Sequence, residues 1–240
     1  MTTMTTTGQD RDEARGAAPA PRARRGLTAV LVAVIAVGLV VLGGGLAVAL
    51  GIGRTDTPGT GSVDAGFARD MSTHHVQAVE MANLAQTHSS DPQVQQLAFD
   101  IASTQNNQVG RMRGWLSLWG LPLNSGTGAM AWMGEGGHAM HDMGAMQKAE
   151  QRGVPMPGMA SESDLAQLRS LTGTPFDVLF LQLMIRHHQG GTAMAEYGAA
   201  HAQEPAVRNL AQTIDETQTA EVTTMEQMLR AAGGAPLPAD

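Results

Sequence analysis

Two stretches of this chain carry histidine and methionine at the same spacing. Met71-Ser72-Thr73-His74-His75 is followed six residues on by Met81-Ala82, and Met184-Ile185-Arg186-His187-His188 is followed six residues on by Met194-Ala195. The offset between the two is 113 residues. On a helix, residues three and four apart share a face, so Met71 lies beside both His74 and His75, and Met81 returns to the same stripe. Adjacent histidines point about 100° apart, so one imidazole of each pair can face a helical interior while the other faces a neighbouring helix or the rim. Buried imidazoles without partners would cost roughly 1–3 kcal/mol per unsatisfied group. A pair that recurs in one register, with Met before and after it, therefore reads as a metal-ligand set. Imidazole and thioether suit Cu(I), whereas hard cations prefer oxygen and zinc usually recruits thiolate or carboxylate beside His.

The remaining candidates are of two kinds. Seven of the chain's 16 Met fall between Met130 and Met159, among glycines. Met130, Met133, His138, Met140, His141 and Met143 read there as additional soft ligands, in a segment that no packed core explains. Met112, Met225 and Met228 at helical spacing read first as adaptable core filler, with Met112 and Met225, and Glu221 beside them, kept as lesser metal candidates. Glu80, Glu196, Glu216 and Glu221 are otherwise accounted for by solvated helix faces. His88 and His201 fall in the last turn of a helix, where a favourable dipole contact competes with a ligand role.

Other chemistries find little support. Cysteine is absent, which excludes disulfides, thiolate metal sites and cysteine nucleophiles. The sequence has no GxSxG, P-loop, HExxH or GxGxxG opening a helix after a strand. A di-iron bundle needs Glu-x-x-His on two helices. The one such pattern, Glu135 to His138, lies in the glycine-rich segment. No organic cofactor is expected. From Arg54 onward 10 Lys+Arg face 19 Asp+Glu, a net charge of −9, which argues against nucleic acid as a partner and favours cations or a solvated acidic surface.

The elements that must position these residues follow from the repeat. The 113-residue register also pairs Phe67 with Phe180, His88 with His201, Pro92 with Pro205, Leu97 with Leu210, Gln105 with Gln218, Met112 with Met225 and Leu116 with Leu229. Each unit reads as two amphipathic helices around a short turn, opened by Ser62 or Asp64, by Asp91-Pro92, by Thr174-Pro175 with Asp177 at N3 of a capping box, and by Glu204-Pro205. Short turns make each pair antiparallel. Asp64 and Asp177 read as helix-start residues. The hairpins span 63–119 and 174–232, joined by a Met/His-rich connector, 120–173, that starts without helical periodicity. In it Ser161-x-x-Asp164 caps a short helix over about 162–172. The result is a 63–232 duplicated helical bundle, followed by a tail at 233–240.

Residues 1–26 read as a disordered cytoplasmic tail, 27–52 as a transmembrane anchor and 53–62 as a linker. Leu27 to Ile52 carries no charge and as a helix would span about 39 Å, enough to cross a bilayer. No convincing small-x-small cleavage site follows, which favours a retained anchor over a cleaved signal. Arg22, Arg24 and Arg25 precede the span and Arg54 follows it alone, which leaves the N-terminus inside and sends the rest out.

The motif Phe180-x-x-x-Met184-Ile185-x-His187-His188 with Met194-Ala195, the later Ile214-x-x-x-Gln218-x-x-Glu221-x-x-x-Met225, and Met156-Pro157-Gly158-Met159 resemble the bacterial "domain of unknown function 305" family over nearly all of 64–231. The resemblance implies an all-α, ferritin-like four-helix bundle built from two duplicated hairpins, export or membrane anchoring, and copper binding with copper tolerance in characterised members. Carried over, it implies Met71, His74, His75, Met81, Met184, His187, His188 and Met194 as ligands. The first half departs from the pattern, with Gln108 where the second half has Glu221 and Arg113 where it has Glu226. The expectation is a membrane-anchored, extracytoplasmic copper protein that sequesters or delivers Cu(I) or Cu(II), Cu(I) favoured, in copper homeostasis or tolerance, through an unidentified donor or acceptor protein. The competing expectations are a metal-independent interaction bundle with Met as adaptable surface and, third, a metal-dependent oxidoreductase.

Overall fold

The computed structural model describes residues 22–50, 57–124, 126, 128–134 and 139–238, with the side chains of 22–25 and 139–143 excepted. It divides into two compact units, residues 1–56 and 57–240. The first contains helix α1 (Arg22–Ala49), which begins within the stretch read as a tail. Residues 1–21 and 51–56 lie outside the described residues.

The second unit is helical throughout its described residues: α2 (Val63–His88), α3 (Pro92–Leu118), a 3-10 turn over Ala131–Met133, α4 (Ala139–Gln151), α5 (Glu162–Ser170), α6 (Thr174–His201) and α7 (Pro205–Ala231). Ser62 caps α2 by accepting from the Ala65 amide at 3.2 Å. Asp91 caps α3 through the Gln93 amide at 2.8 Å, and Ser161 and Asp164 form the expected capping box on α5. α2 packs on α3, α6 packs on α7, and the two hairpins join along α2 and α6. Phe67 near the start of α2 lies under Gly198 near the end of α6, while His88 at the end of α2 meets the Phe176 ring at the start of α6. α2 and α6 are therefore antiparallel, and the all-α, four-helix bundle of two duplicated hairpins is as expected.

Three local readings need correction. Asp177 forms no capping box: α6 starts on Gly173 in the left-handed region with no side-chain cap, and the Asp177 carboxyl is buried, with burial and the Asp91 charge pushing it up against a bond from Ser89. Asp64 stands in the first turn of α2, as read, but its carboxylate also bonds beyond that helix. Its two oxygens accept from the backbone amides of Gln203 and Glu204, at 3.1 and 2.8 Å, and so tie α2 to the turn before α7. The connector is more ordered than its glycines suggest, since it supplies α4, whose Ala, Met, Gln, Lys and Glu are good helix formers. Met130, Met133, Met156 and Met159 are buried core residues, so a core does account for them. The loop carrying Met130 and Met133 is held by Asp70, whose Oδ2 accepts from the Met130 amide at 2.6 Å and from the Trp132 indole at 2.7 Å.

The segment Met156-Pro157-Gly158-Met159 forms a strap across α2 and α6. Gln77 of α2 grips Ala160 by both its amide and carbonyl, at 2.7 and 2.9 Å. On the other side, Gly158 (φ +77°) and Gly190 of α6 bring backbone against backbone. A Cβ on Gly190 would lie 2.4 Å from the Pro157 carbonyl, and one on Gly158 would lie 2.6 Å from the Arg186 carbonyl oxygen. Arg186 and Arg152 converge on the Asp164 carboxylate at 2.9 and 3.3 Å, and Arg152 also donates to the Met159 carbonyl at 2.7 Å. Burial would raise the Asp164 carboxyl, but the Ser161 hydrogen bonds and the Arg186 guanidinium hold it below its ordinary range.

Gly190→Ala is expected to lower unfolding stability by about 2–3 kcal/mol because backbone must move. Gly110→Ala, on an open face of α3, should raise it by roughly 0.5–1 kcal/mol. Urea unfolding of the two variants beside the parent checks both signs.

Candidate metal centre

The interior of the bundle has two apolar halves with a polar layer between them. Phe67, Met71, Met112, Leu116, Met194 and Ile214 belong to one half. Ala78, Met81, Ile101, Phe180, Met184 and Met225 belong to the other. Between them lie the buried polar side chains His74, His75, Gln105, Gln108, His187, His188 and Gln218. Antiparallel packing explains the arrangement: the histidine pairs sit near the middle of α2 and α6, so they meet, while the Met residues before and after them divide between the halves. His74 and His187 face one another across the α2–α6 contact, ring centroids 3.8 Å apart. His75 and His188 turn instead toward the second helix of their own hairpin, as the 100° offset requires.

Each pair is oriented from outside. The Pro157 carbonyl of the strap lies 3.1 Å from His74 Nε2, Gln108 Oε1 lies 2.7 Å from His75 Nε2, and Glu221 Oε2 lies 2.7 Å from His188 Nε2. Carbonyl and carboxylate oxygens only accept, so these rings donate Nε2–H, and Nδ1 is the nitrogen left for a ligand. All three of those Nδ1 atoms, both nitrogens of His187 and the amide atoms of Gln105 and Gln218 lack hydrogen-bond partners; the other such atoms among the described residues are Asp177 Oδ1 and Arg186 Nε. Unmet bonding capacity is thus concentrated in this layer. Gly191, next to the strap-contacting Gly190, leaves room beside it. A Cβ there would lie 3.0 Å from Gln218 Oε1 and 3.6 Å from His74 Nδ1.

The electrostatics favour neutral rings at His74, His75 and His187. Burial pushes His74 down to about 4, against the pull of the Pro157 carbonyl. Burial and the neighbouring His74 push His75 down to about 3, and burial with three neighbouring imidazoles takes His187 well below its ordinary value. Neutral imidazole is the form that ligates metal. Among the described residues no three His, Asp or Glu side chains already surround one point. The chemistry of that donor set, four imidazoles flanked by buried Met, fits a soft or borderline ion.

Of the expected residues, the structure brings His74, His75, His187 and His188 into one layer and buries Met71, Met112 and Met194 on one side of it and Met81, Met184 and Met225 on the other. Glu221 stands behind His188. Met130 and Met133 pack in the half containing Met71. Met140, His141 and Met143 lie on α4, their side chains outside the described residues, as is His138 altogether. Sequence reasoning missed Gln105 and Gln218 as members of the layer and the Pro157 carbonyl as a partner of His74. The Gln residues were visible in the repeat register, as matched polar positions on an apolar stripe.

A four-helix bundle of two repeated hairpins, with a buried His layer between Met-bearing cores, defines a class of small helical His/Met proteins. The family model described as Domain of unknown function (DUF305) matches residues 64–229, and the chain belongs to that family. A DUF305 protein from Streptomyces coelicolor is 38% identical, with TM-score 0.65 over 75% of this chain and 99% of that one. A DUF305 fragment from Deinococcus radiodurans is 31% identical, with TM-score 0.56 over 70% and 96%. CopM in its Cu(II)-bound form is 25% identical, with TM-score 0.52 over 71% and 97%. No curated protein matches the chain.

The depressed histidines make the metal-free fold acid-sensitive. In the unfolded chain His74 takes up a proton near pH 6.5, whereas in the folded protein it does so only at about 4, so its contribution to stability is full above 6.5 and falls as pH drops toward 4. His74 alone is worth about 3 kcal/mol over that window. Denaturant midpoints at pH 7.5, 6, 5 and 4 should fall in sequence, and a flat profile would contradict burial of neutral rings.

Proposed function

We propose that this is a membrane-anchored, extracytoplasmic copper-binding protein that sequesters or delivers copper, Cu(I) in preference, and catalyses no reaction. The observation that carries the reading is the layer of four buried imidazoles, three of them held by outside partners so that an unpartnered Nδ1 is left over. Buried thioethers on both sides of the layer supply the soft donors that favour Cu(I). CopM, 25% identical, has been solved with Cu(II) bound, which supports copper as the metal.

Anchoring is supported by Gly26–Ala49, a helix long and apolar enough to cross a membrane and with none of its apolar window buried. Arg22, Arg24 and Arg25 before it and Arg54 after it favour an inside N-terminus. The acidic exported unit would draw cations toward it. Delivery requires a donor or acceptor protein.

The test is a Cu(I) titration of the full chain in detergent micelles against a chromogenic chelator. Changing His74, His75, His187 and His188 together to Ala should weaken binding at least 100-fold. Changing His138, Met140, His141 and Met143 to Ala should leave the tightest ion in place. Undiminished binding by the first variant would sink this reading. Loss with the second alone would move the site to the connector.

A further inference from the structure

The two halves of the histidine layer are built to one plan but with one difference of charge. Gln108 and Glu221 occupy equivalent places, 113 residues apart. Each holds the Nε2 of the second histidine of its hairpin at the same 2.7 Å. Both histidines are fully buried, so what differs between them is an amide behind His75 and a carboxylate behind His188.

We propose that Glu221 and Gln108 are positioning residues that set oxidation-state preference: Glu221 makes the His188 half the better holder of Cu(II), and Gln108 leaves the His75 half suited to Cu(I). This rests on the copper reading and names a selectivity within that same site. A ring that donates its Nε2–H to a carboxylate is a more basic ligand at Nδ1 than one that donates to an amide, and its orientation is fixed by the same bond. The carboxylate also brings a negative charge to the edge of a low-dielectric layer, where it offsets the extra positive charge of Cu(II) far more than it would in water. Cu(I), with one charge fewer and a taste for thioether, gains less from it.

Three features of the surroundings favour this role. Among the described residues no Arg or Lys pairs with Glu221; its hydrogen-bond partner is the His188 ring. The Glu221 side chain is 17% exposed while His188 is wholly buried, so the carboxylate stays at the margin and escapes the full penalty of a buried charge. That margin is a crevice between α3 and α7 lined by Gln105, Gln108, Thr217, Gln218 and Glu221, with no room for a water-sized sphere. The carboxylate reaches the His188 ring directly, at 2.7 Å.

Two measurements on the full chain in detergent micelles test the assignment. The first uses metal-free protein: nitrogen-15 NMR of the imidazoles should show His188 protonated at Nε2 and bare at Nδ1 in the parent. A ring protonated at Nδ1 would overturn the proposal. The second compares Cu(II) and Cu(I) affinities of the parent with Glu221→Gln and Gln108→Glu. Glu221→Gln keeps a hydrogen bond and removes the charge. It should weaken Cu(II) about tenfold with Cu(I) changed less than twofold, raising the midpoint potential by about 59 mV. Gln108→Glu should do the reverse, and serves alone should Glu221→Gln not fold. Equal changes in both oxidation states, or a change in unfolding midpoint with neither affinity moved, would make the residue merely structural and the proposal wrong. A parent that binds neither ion would remove the copper reading as well, whereas a binding parent with no shift in either variant removes only this assignment.

Discussion

Placing four imidazoles in one layer of a narrow bundle is the constraint on which the rest of the molecule depends. A buried polar group without a partner is destabilising by an amount comparable with a sizeable fraction of a domain's total stability. The layer is therefore supported from three directions. Gln108 reaches in from α3, Glu221 from α7, and the Pro157 carbonyl from a strap that belongs to neither hairpin. Each support takes the Nε2 of a ring and leaves Nδ1, so the same bonds that make burial tolerable also set which nitrogen is offered to an ion.

The strap shows how a local sequence oddity acquires meaning at a distance. Two consecutive glycines in the middle of a long helix weaken it. At Gly190 the missing side chain lets the Pro157-Gly158 backbone lie directly on α6, and at Gly191 it leaves space beside His74 and Gln218. The corresponding residues of the first hairpin are Gln77 and Ala78, and Gln77 grips the far end of the same strap at Ala160. One half of the repeat thus supplies clearance and the other supplies an anchor, which is how a symmetric pair of hairpins holds a single asymmetric cover. The cores on either side of the layer contain Met where Leu would pack as well, and thioether is the apolar side chain that can also ligate.

Much of the architecture was legible in the residues because it rests on local rules. The 113-residue register gave two hairpins, Ser62 and Asp91 were readable as caps, and Ser161 with Asp164 as a capping box, since each of these depends on neighbours within a few positions. The meeting of His74 with His187 was not readable, because it depends on the antiparallel contact of α2 with α6, between the two hairpins. The opposite fates of Asp64 and Asp177 were not readable: both look like helix-start carboxylates, yet one bonds to a turn 139 residues away and the other is buried against Ser89 and Asp91. Connector methionines looked unpackable because glycines surround them, and only the docking of that segment, through Asp70 at Met130 and through Gln77 at Ala160, made them core.

By itself, then, the sequence determined the duplicated all-α plan, the apolar N-terminal helix and the set of soft donor side chains, because periodicity, capping and ligand chemistry are properties of short stretches. Tertiary structure alone decided which nitrogen each histidine presents, that an amide stands behind one ring and a carboxylate behind the other, and that a strap closes over the layer. These depend on which segments, from 33 to 83 residues apart, approach within hydrogen-bonding distance, and no local preference encodes that approach.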